Sequence, residues 1–167
     1  MGRIDKENYY LDIAQTVAER ATCLRRCYGA ILVKSDEIIA TGYNGAPRGR
    51  KNCVDLNYCT REALNIPSGE RYELCRSVHA EANAIISAAR SETIGATLYM
   101  ACVDPATGEL IPNSTSCSMC RRLIINAGIQ RVVIRNTKTD YSVVHVEDWV
   151  RDCLLYTSDA ADDLIGV

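Results

Sequence analysis

The chain has 167 residues, 47% of them hydrophobic, and a formal net charge of −2. That length suits one domain with its own core, and the near-neutral charge gives no general attraction to nucleic acid or to an anionic membrane. The opening MGRIDKENYY lacks the apolar stretch of a signal peptide, and no apolar run is long enough for a bilayer, so a cytoplasmic protein without membrane contact is expected. In that compartment the nine cysteines point to metal ligands or buried thiols rather than disulfides.

Residues 5–21 read as an amphipathic helix with Asp5 as its cap and Tyr9, Ile13, Val17 and Ala21 on the core face. Residues 28–33 and 37–42 read as two strands, with Lys34, Ser35 and Asp36 as a hairpin turn. Residues 44–74 are rich in Gly, Pro, Asn and charge and contain cysteines; a plain loop of that length is uncommon, so the segment is expected to be functional or pinned. A second helix is expected over 80–90 with Ala82, Ile85, Ile86 and Ala89 inward, then a strand over 97–103. A third helix starts near Cys117 and stops at Gly128, with Cys120, Leu123, Ile124 and Ala127 inward. Residues 132–134 and 143–146 read as short strands, with His145 an ordinary strand residue, and a helix begins at Glu147. This alternation argues an α/β sandwich.

Residues 1–152 are read as the domain. Residues 153–167 are set apart: Cys153 to Asp163 resembles an in-frame translation of a sequencing adaptor, and the alternative is an ordinary C-terminal helix. The expectation is a non-native tail in place of the natural C-terminus, and no function is assigned to it.

The chemistry gathers at two short motifs. His79-Ala80-Glu81 opens one predicted helix and Cys117-Ser118-Met119-Cys120 opens another. Cysteines at i and i+3 share a helical face, and a helix N-terminus favours the thiolate. One imidazole and two thiolates make three ligands of a tetrahedral zinc site with the fourth position open to water, the arrangement of a catalytic site. Glu81 then stands beside that position as a proton carrier. A redox pair or a structural zinc is the competing reading of the cysteines, and a hydrogen-bonded core residue that of the histidine.

At these residues the chain resembles the cytidine/deoxycytidylate deaminase superfamily, and within it the dCMP deaminases, from about Tyr10 to Trp149. The resemblance is carried by Gly42-Tyr43-Asn44-Gly45-Ala46-Pro47, by His79-Ala80-Glu81-Ala82-Asn83-Ala84-Ile85 and by the Cys117–Cys120 motif. It implies a three-layer α/β/α sandwich around a five-stranded mixed sheet, with His79, Cys117 and Cys120 as zinc ligands and Glu81 as proton shuttle. It further implies Asn44 as a substrate contact and a homo-oligomer, commonly a hexamer. The family usually has Pro before the first cysteine; here Ser116 stands there, itself a good helix cap. The implied reaction is hydrolysis of the exocyclic amine of a cytosine nucleotide, dCMP foremost, giving dUMP and ammonia.

Arg48, Arg50 and Lys51 in the inserted segment, Arg26 before the first strand and Arg90 after the second helix are candidates for the 5′-phosphate, with solvated surface charge as the alternative for each. Asn83 is added as a substrate-side candidate. Cys23, Cys53, Cys59 and Cys75 are candidate ligands of a second, structural zinc, which some dCMP deaminases resemble this chain in having near the corresponding segments; small buried hydrophobes is the alternative. Two other functions stay open: a deaminase of a free nucleoside or of a base in RNA or DNA, and a non-catalytic zinc module. The near-neutral charge disfavours a nucleic-acid partner, and Glu81 disfavours the module, because a structural site has no use for a carboxylate beside an open metal position.

Overall fold

A computed structural model describes residues 1–151; the tail singled out from the sequence, 153–167, lies outside the described residues. Five strands form one mixed sheet in the order β2-β1-β3-β4-β5. They are β1 (Cys27–Lys34), β2 (Glu37–Tyr43), β3 (Thr97–Val103), β4 (Arg131–Arg135) and β5 (Tyr141–His145). β1 runs antiparallel to both β2 and β3, β3 runs parallel to β4, and β4 antiparallel to β5. The β1–β2 turn has Ser35 and Asp36 both at positive φ (51° and 65°), the backbone of a tight two-residue hairpin.

Side-chain alternation divides the core between the two faces of the sheet. On one face Ile31, Val33, Tyr99, Ala101 and Val133 pack against Tyr10, Leu11 and Ala14 of helix α1 (Lys6–Ala18). On the other, Ala30, Leu32, Leu98, Met100, Val132 and Ile134 meet helices α4 (Ala80–Ile86), α6 (Ser118–Asn126) and α7 (Val146–Arg151). The three-layer α/β/α sandwich expected from the sequence is therefore the observed fold. Short helices α2 (Cys53–Leu56) and α3 (Thr60–Ala63) and a 3-10 turn (Tyr72–Leu74) lie in the long 44–74 segment, and α5 (Arg90–Thr93) follows α4.

The strands fall within two residues of the sequence expectation, but the helix faces do not. Asp5 does cap α1, accepting from the Asn8 amide at 3.0 Å. Yet Tyr9 is exposed, Ile13 and Val17 are only partly buried, and Leu11, Ala14 and Ala18 are the residues at zero exposure. Gly29 explains this roll. A Cβ there would sit 2.1 Å from the Ala14 carbonyl oxygen and 2.4 Å from the Ala18 amide, so the backbone of α1 lies directly on β1 with its small residues at the contact. The helix expected over 80–90 breaks after Ile86, and Ile86 and Ala89 face outward while Ala80, Ala82 and Ala84 are buried. In α6, Cys120, Ile124 and Ala127 are inward as expected, but Leu123 is exposed.

Because β2 and β3 are both antiparallel to β1, they are parallel to each other, and β3 is parallel to β4. α4 lies in the crossover from β2 to β3, and α6 in that from β3 to β4. Both crossovers step the same way along the sheet, so one handedness puts both helices on one face. Their N-termini then lie side by side at the C-terminal ends of parallel strands, where open α/β sheets bind ligands.

Gly42 sets how closely α4 approaches. A Cβ at this position would meet the Ala80 carbonyl oxygen at 2.3 Å and the Ala84 amide at 2.4 Å. Gly42→Ala should therefore push α4 off the sheet and destabilise the fold by about 1–3 kcal/mol or more. Thermal unfolding should register the loss, and zinc affinity should fall with it, because α4 carries His79.

Candidate metal centre and cleft

His79 is the N-cap residue of α4 and Cys117 the N-cap residue of α6. The cap is thus the cysteine and not Ser116, as the sequence had suggested: the Cys117 sulfur accepts from the Cys120 amide at 3.5 Å. Ser116 is buried, and its hydroxyl donates to the Met100 sulfur at 3.6 Å. The side-by-side helix ends bring His79 Nδ1 to 3.5 Å from both Cys117 Sγ and Cys120 Sγ. Ligand lengths of about 2.0 Å for Zn–N and 2.3 Å for Zn–S with tetrahedral angles put N and S about 3.5 Å apart, so the three donors fit zinc in spacing as well as in chemistry. They are the one group of three or more His, Cys, Asp or Glu among the described residues whose ligand atoms all lie within 4.8 Å of one another.

The electrostatics favour a cation here. The Cys120 thiol donates to Cys117, and this bond, helped by His79, holds Cys117 well below the usual thiol range, while Cys120 is pushed up in turn. Burial opposes charge on His79, but its hydrogen bonds to Cys117 and Cys75 raise it to about 10. Tyr72 lies edge-on against the His79 ring, with centroids 4.9 Å apart. Glu81 is 3% exposed, and burial is the main cause of its raised pKa.

His79, Glu81, Cys117 and Tyr72 line a cavity of about 330 Å³, whereas Cys120 is buried and does not. Of the substrate candidates read from the sequence, Asn44 and Arg26 line it; Arg48, Asn83 and Arg90 do not, nor do Arg50 and Lys51. Asn44 is buried and its amide braces the cavity wall, accepting from the Tyr28 amide at 2.8 Å and donating to the Arg26 carbonyl at 2.9 Å. Asn83 ties α4 to the end of β2 by donating to the Tyr43 carbonyl at 2.8 Å, and Arg90 donates to the Asn126 carbonyl at 2.5 Å. Both make structural bonds away from the cavity, which local sequence does not distinguish from ligand contacts.

The long 44–74 segment is pinned, as its length suggested, and it walls the cavity. Asn52 Oδ1 accepts from the Thr22 hydroxyl at 2.9 Å and from the Ala46 amide at 3.2 Å. Arg61, 6% exposed, gathers the loop by donating to the Pro67 and Glu70 carbonyls, and its guanidinium lies 4.3 Å over the Tyr72 ring. Arg25, Arg61, Tyr72 and the stretch from Asn113 to Thr115 line the cavity and were not singled out from the sequence. Only Arg25 had a local signal, its place next to Arg26. Cys23, Cys59 and Cys75 also line the cavity; Cys53 is buried, and its pKa is raised by burial and then by Cys23, Cys59 and Cys75. His145 is exposed on β5, an ordinary strand residue as read from the sequence. No helix among the described residues is long and apolar enough to cross a membrane.

Three metal-type ligands at paired helix ends, with a buried carboxylate beside them, define a metal-centred hydrolytic site. Residues 4–136 match the family described as the cytidine and deoxycytidylate deaminase zinc-binding region, and the chain belongs to that family. It is 39% identical over 138 residues to the deoxycytidylate deaminase of Mycobacterium phage D29, covering 80% of this chain and 96% of that one. It is 33% identical over 127 residues to the deoxycytidylate deaminase of Schizosaccharomyces pombe, covering 76% of this chain but only 36% of the yeast protein. Among solved structures it resembles the dCMP deaminase of cyanophage S-TIM5 in apo form, with TM-score 0.56, 27% identity, and coverage of 81% of this chain and 86% of the other.

Removing one donor leaves too few ligands to hold the ion. His79→Ala or Cys117→Ala should therefore cost one equivalent of bound zinc by elemental analysis and abolish turnover. Either variant retaining full activity after chelation would end the zinc assignment.

Proposed function

We propose that this chain is a zinc-dependent hydrolase that removes the exocyclic amine of a cytosine nucleotide, dCMP before others, giving dUMP and ammonia. The observation that carries the reading is the set of clustered zinc-type donors, His79, Cys117 and Cys120, of which His79 and Cys117 line the same cavity as the buried Glu81. A zinc ion held by the three donors would supply a water acidic enough to act as nucleophile near neutral pH. Glu81 takes a proton from the attacking water and passes it to N3 of the base, which makes C4 electrophilic. With water thus added across the C4–N3 bond, Glu81 moves the remaining hydroxyl proton to the exocyclic amine, the C4–N bond to that amine breaks, and ammonia leaves a C4 carbonyl behind.

The lining favours a nucleotide over a free nucleoside. Arg25, Arg26 and Arg61 face the cavity, and Glu81 is its single Asp or Glu, so the local field attracts an anion. A near-whole-length match to a phage protein named deoxycytidylate deaminase supports the same choice. The test is ammonia release across dCMP, CMP, deoxycytidine and cytidine, with Glu81→Gln run alongside. On dCMP, Glu81→Gln should lose a factor on the order of 10² to 10⁴ in kcat while keeping zinc and KM. A glutamine variant that turns over like the parent with full zinc would assign the proton transfers to another group. No release from any cytosine compound would leave a zinc-binding module.

A second, structural zinc on Cys23, Cys53, Cys59 and Cys75 is part of the same reading. It is supported by the three thiols close enough to Cys53 to perturb it, although no three of these four lie as near one another as the His79 group. Elemental analysis should return close to two zinc ions per chain. Cys53→Ala should lower that to one and reduce thermal stability more than kcat, because a structural ion contributes to folding. One zinc with all four thiols reactive excludes the site.

A further inference from the structure

Three arginines line the cavity, and they are not equivalent. Arg61 spends Nε and one terminal nitrogen on the Glu70 and Pro67 carbonyls and stacks on Tyr72, so it is committed to folding the loop. Arg26 is exposed, and the neighbouring Tyr28 hydroxyl raises its pKa. Arg25 differs: its Nη1 is buried and has no hydrogen-bond partner among the described residues. Burying a guanidinium N–H without an acceptor is costly, and arginine cannot lose its charge to escape that cost. No acidic side chain of the lining other than Glu81 could supply the acceptor. Arg25 also lines the cavity, where a ligand can bring acceptors to its guanidinium, and a guanidinium fork is matched by phosphate oxygens.

We propose that Arg25 holds the 5′-phosphate of the substrate and so sets the preference for nucleotide over nucleoside; this rests on the reading of the chain as a cytosine-nucleotide deaminase. Arg25 directly precedes Arg26, whose carbonyl is fixed by Asn44 Nδ2. The arginine is thereby tied to the cavity wall that leads into β1, which spares some of the ordering cost that a phosphate contact from a loose loop would carry.

The experiment measures KM and kcat for dCMP and for deoxycytidine in the parent and in Arg25→Gln, with zinc content read on the same samples. Arg25→Gln should raise KM for dCMP about 10- to 100-fold, the scale of one lost charged hydrogen bond, and leave deoxycytidine kinetics and zinc content unchanged. Deoxyribose 5-phosphate should inhibit the parent competitively and lose that inhibition in the variant. Should glutamine not be tolerated, Arg25→Met keeps the packing of the stem and carries the same comparison. Equal losses on dCMP and deoxycytidine would make Arg25 a support of the fold and overturn the assignment. An unchanged KM for dCMP would place the phosphate elsewhere and overturn it too. A parent that does not distinguish dCMP from deoxycytidine would overturn the nucleotide reading, and the Arg25 assignment with it.

Discussion

The site depends on two helix N-termini starting close enough for their cap side chains to meet at 3.5 Å. His79 and Cys117 occupy corresponding cap positions on α4 and α6, and three donor atoms converge only because the two helices start at neighbouring points above the sheet. That placement follows from strand order. With β1 inserted antiparallel between β2 and β3, and β3 parallel to β4, successive crossovers of one hand must lie on the same face. The geometry of the metal centre is thus a property of the sheet's connectivity before it is a property of any one residue.

Close backbone packing makes the placement precise. Gly29 lets α1 rest on β1, and Gly42 lets α4 rest on β2, each at distances that no side chain would permit. Alanine-rich contact faces on both helices are the complement of these glycines. Helix positions that would ordinarily carry leucine or isoleucine are small where the sheet is near, and Ile86 of α4 is left facing outward. Rigidity of this kind suits a catalytic site, because donor spacing has to be set before an ion arrives.

Charge is distributed to match. The molecule is near neutral, yet its cavity carries three arginines and one buried carboxylate. A global tally therefore says little about the ligand, since a cleft focuses the field of the groups that line it. The long segment between β2 and α4 supplies much of this lining. Arg61 folds that segment on itself and, through Tyr72, braces the ring of His79, so the wall of the cavity and the candidate metal ligand are mechanically linked.

Local sequence determined the elements and the chemistry at their ends. His79-Ala80-Glu81 and the Cys117–Cys120 pair were legible because ligand spacing on a helical turn is a short-range property, and the five strands because alternation and turn residues act over a few positions. The Ser35–Asp36 turn and the Asp5 cap were legible for the same reason. The tertiary structure alone decided which face of each helix is buried, since that depended on backbone approach at Gly29 and Gly42, residues distant in sequence from the helices they admit. It alone decided which basic residues reach the cavity. Arg48 and Arg90 stood out in the sequence and Arg25 did not, yet Arg25 lines the cavity and they do not. Which side chains line a cavity is set by long-range contacts, and no local pattern encodes it.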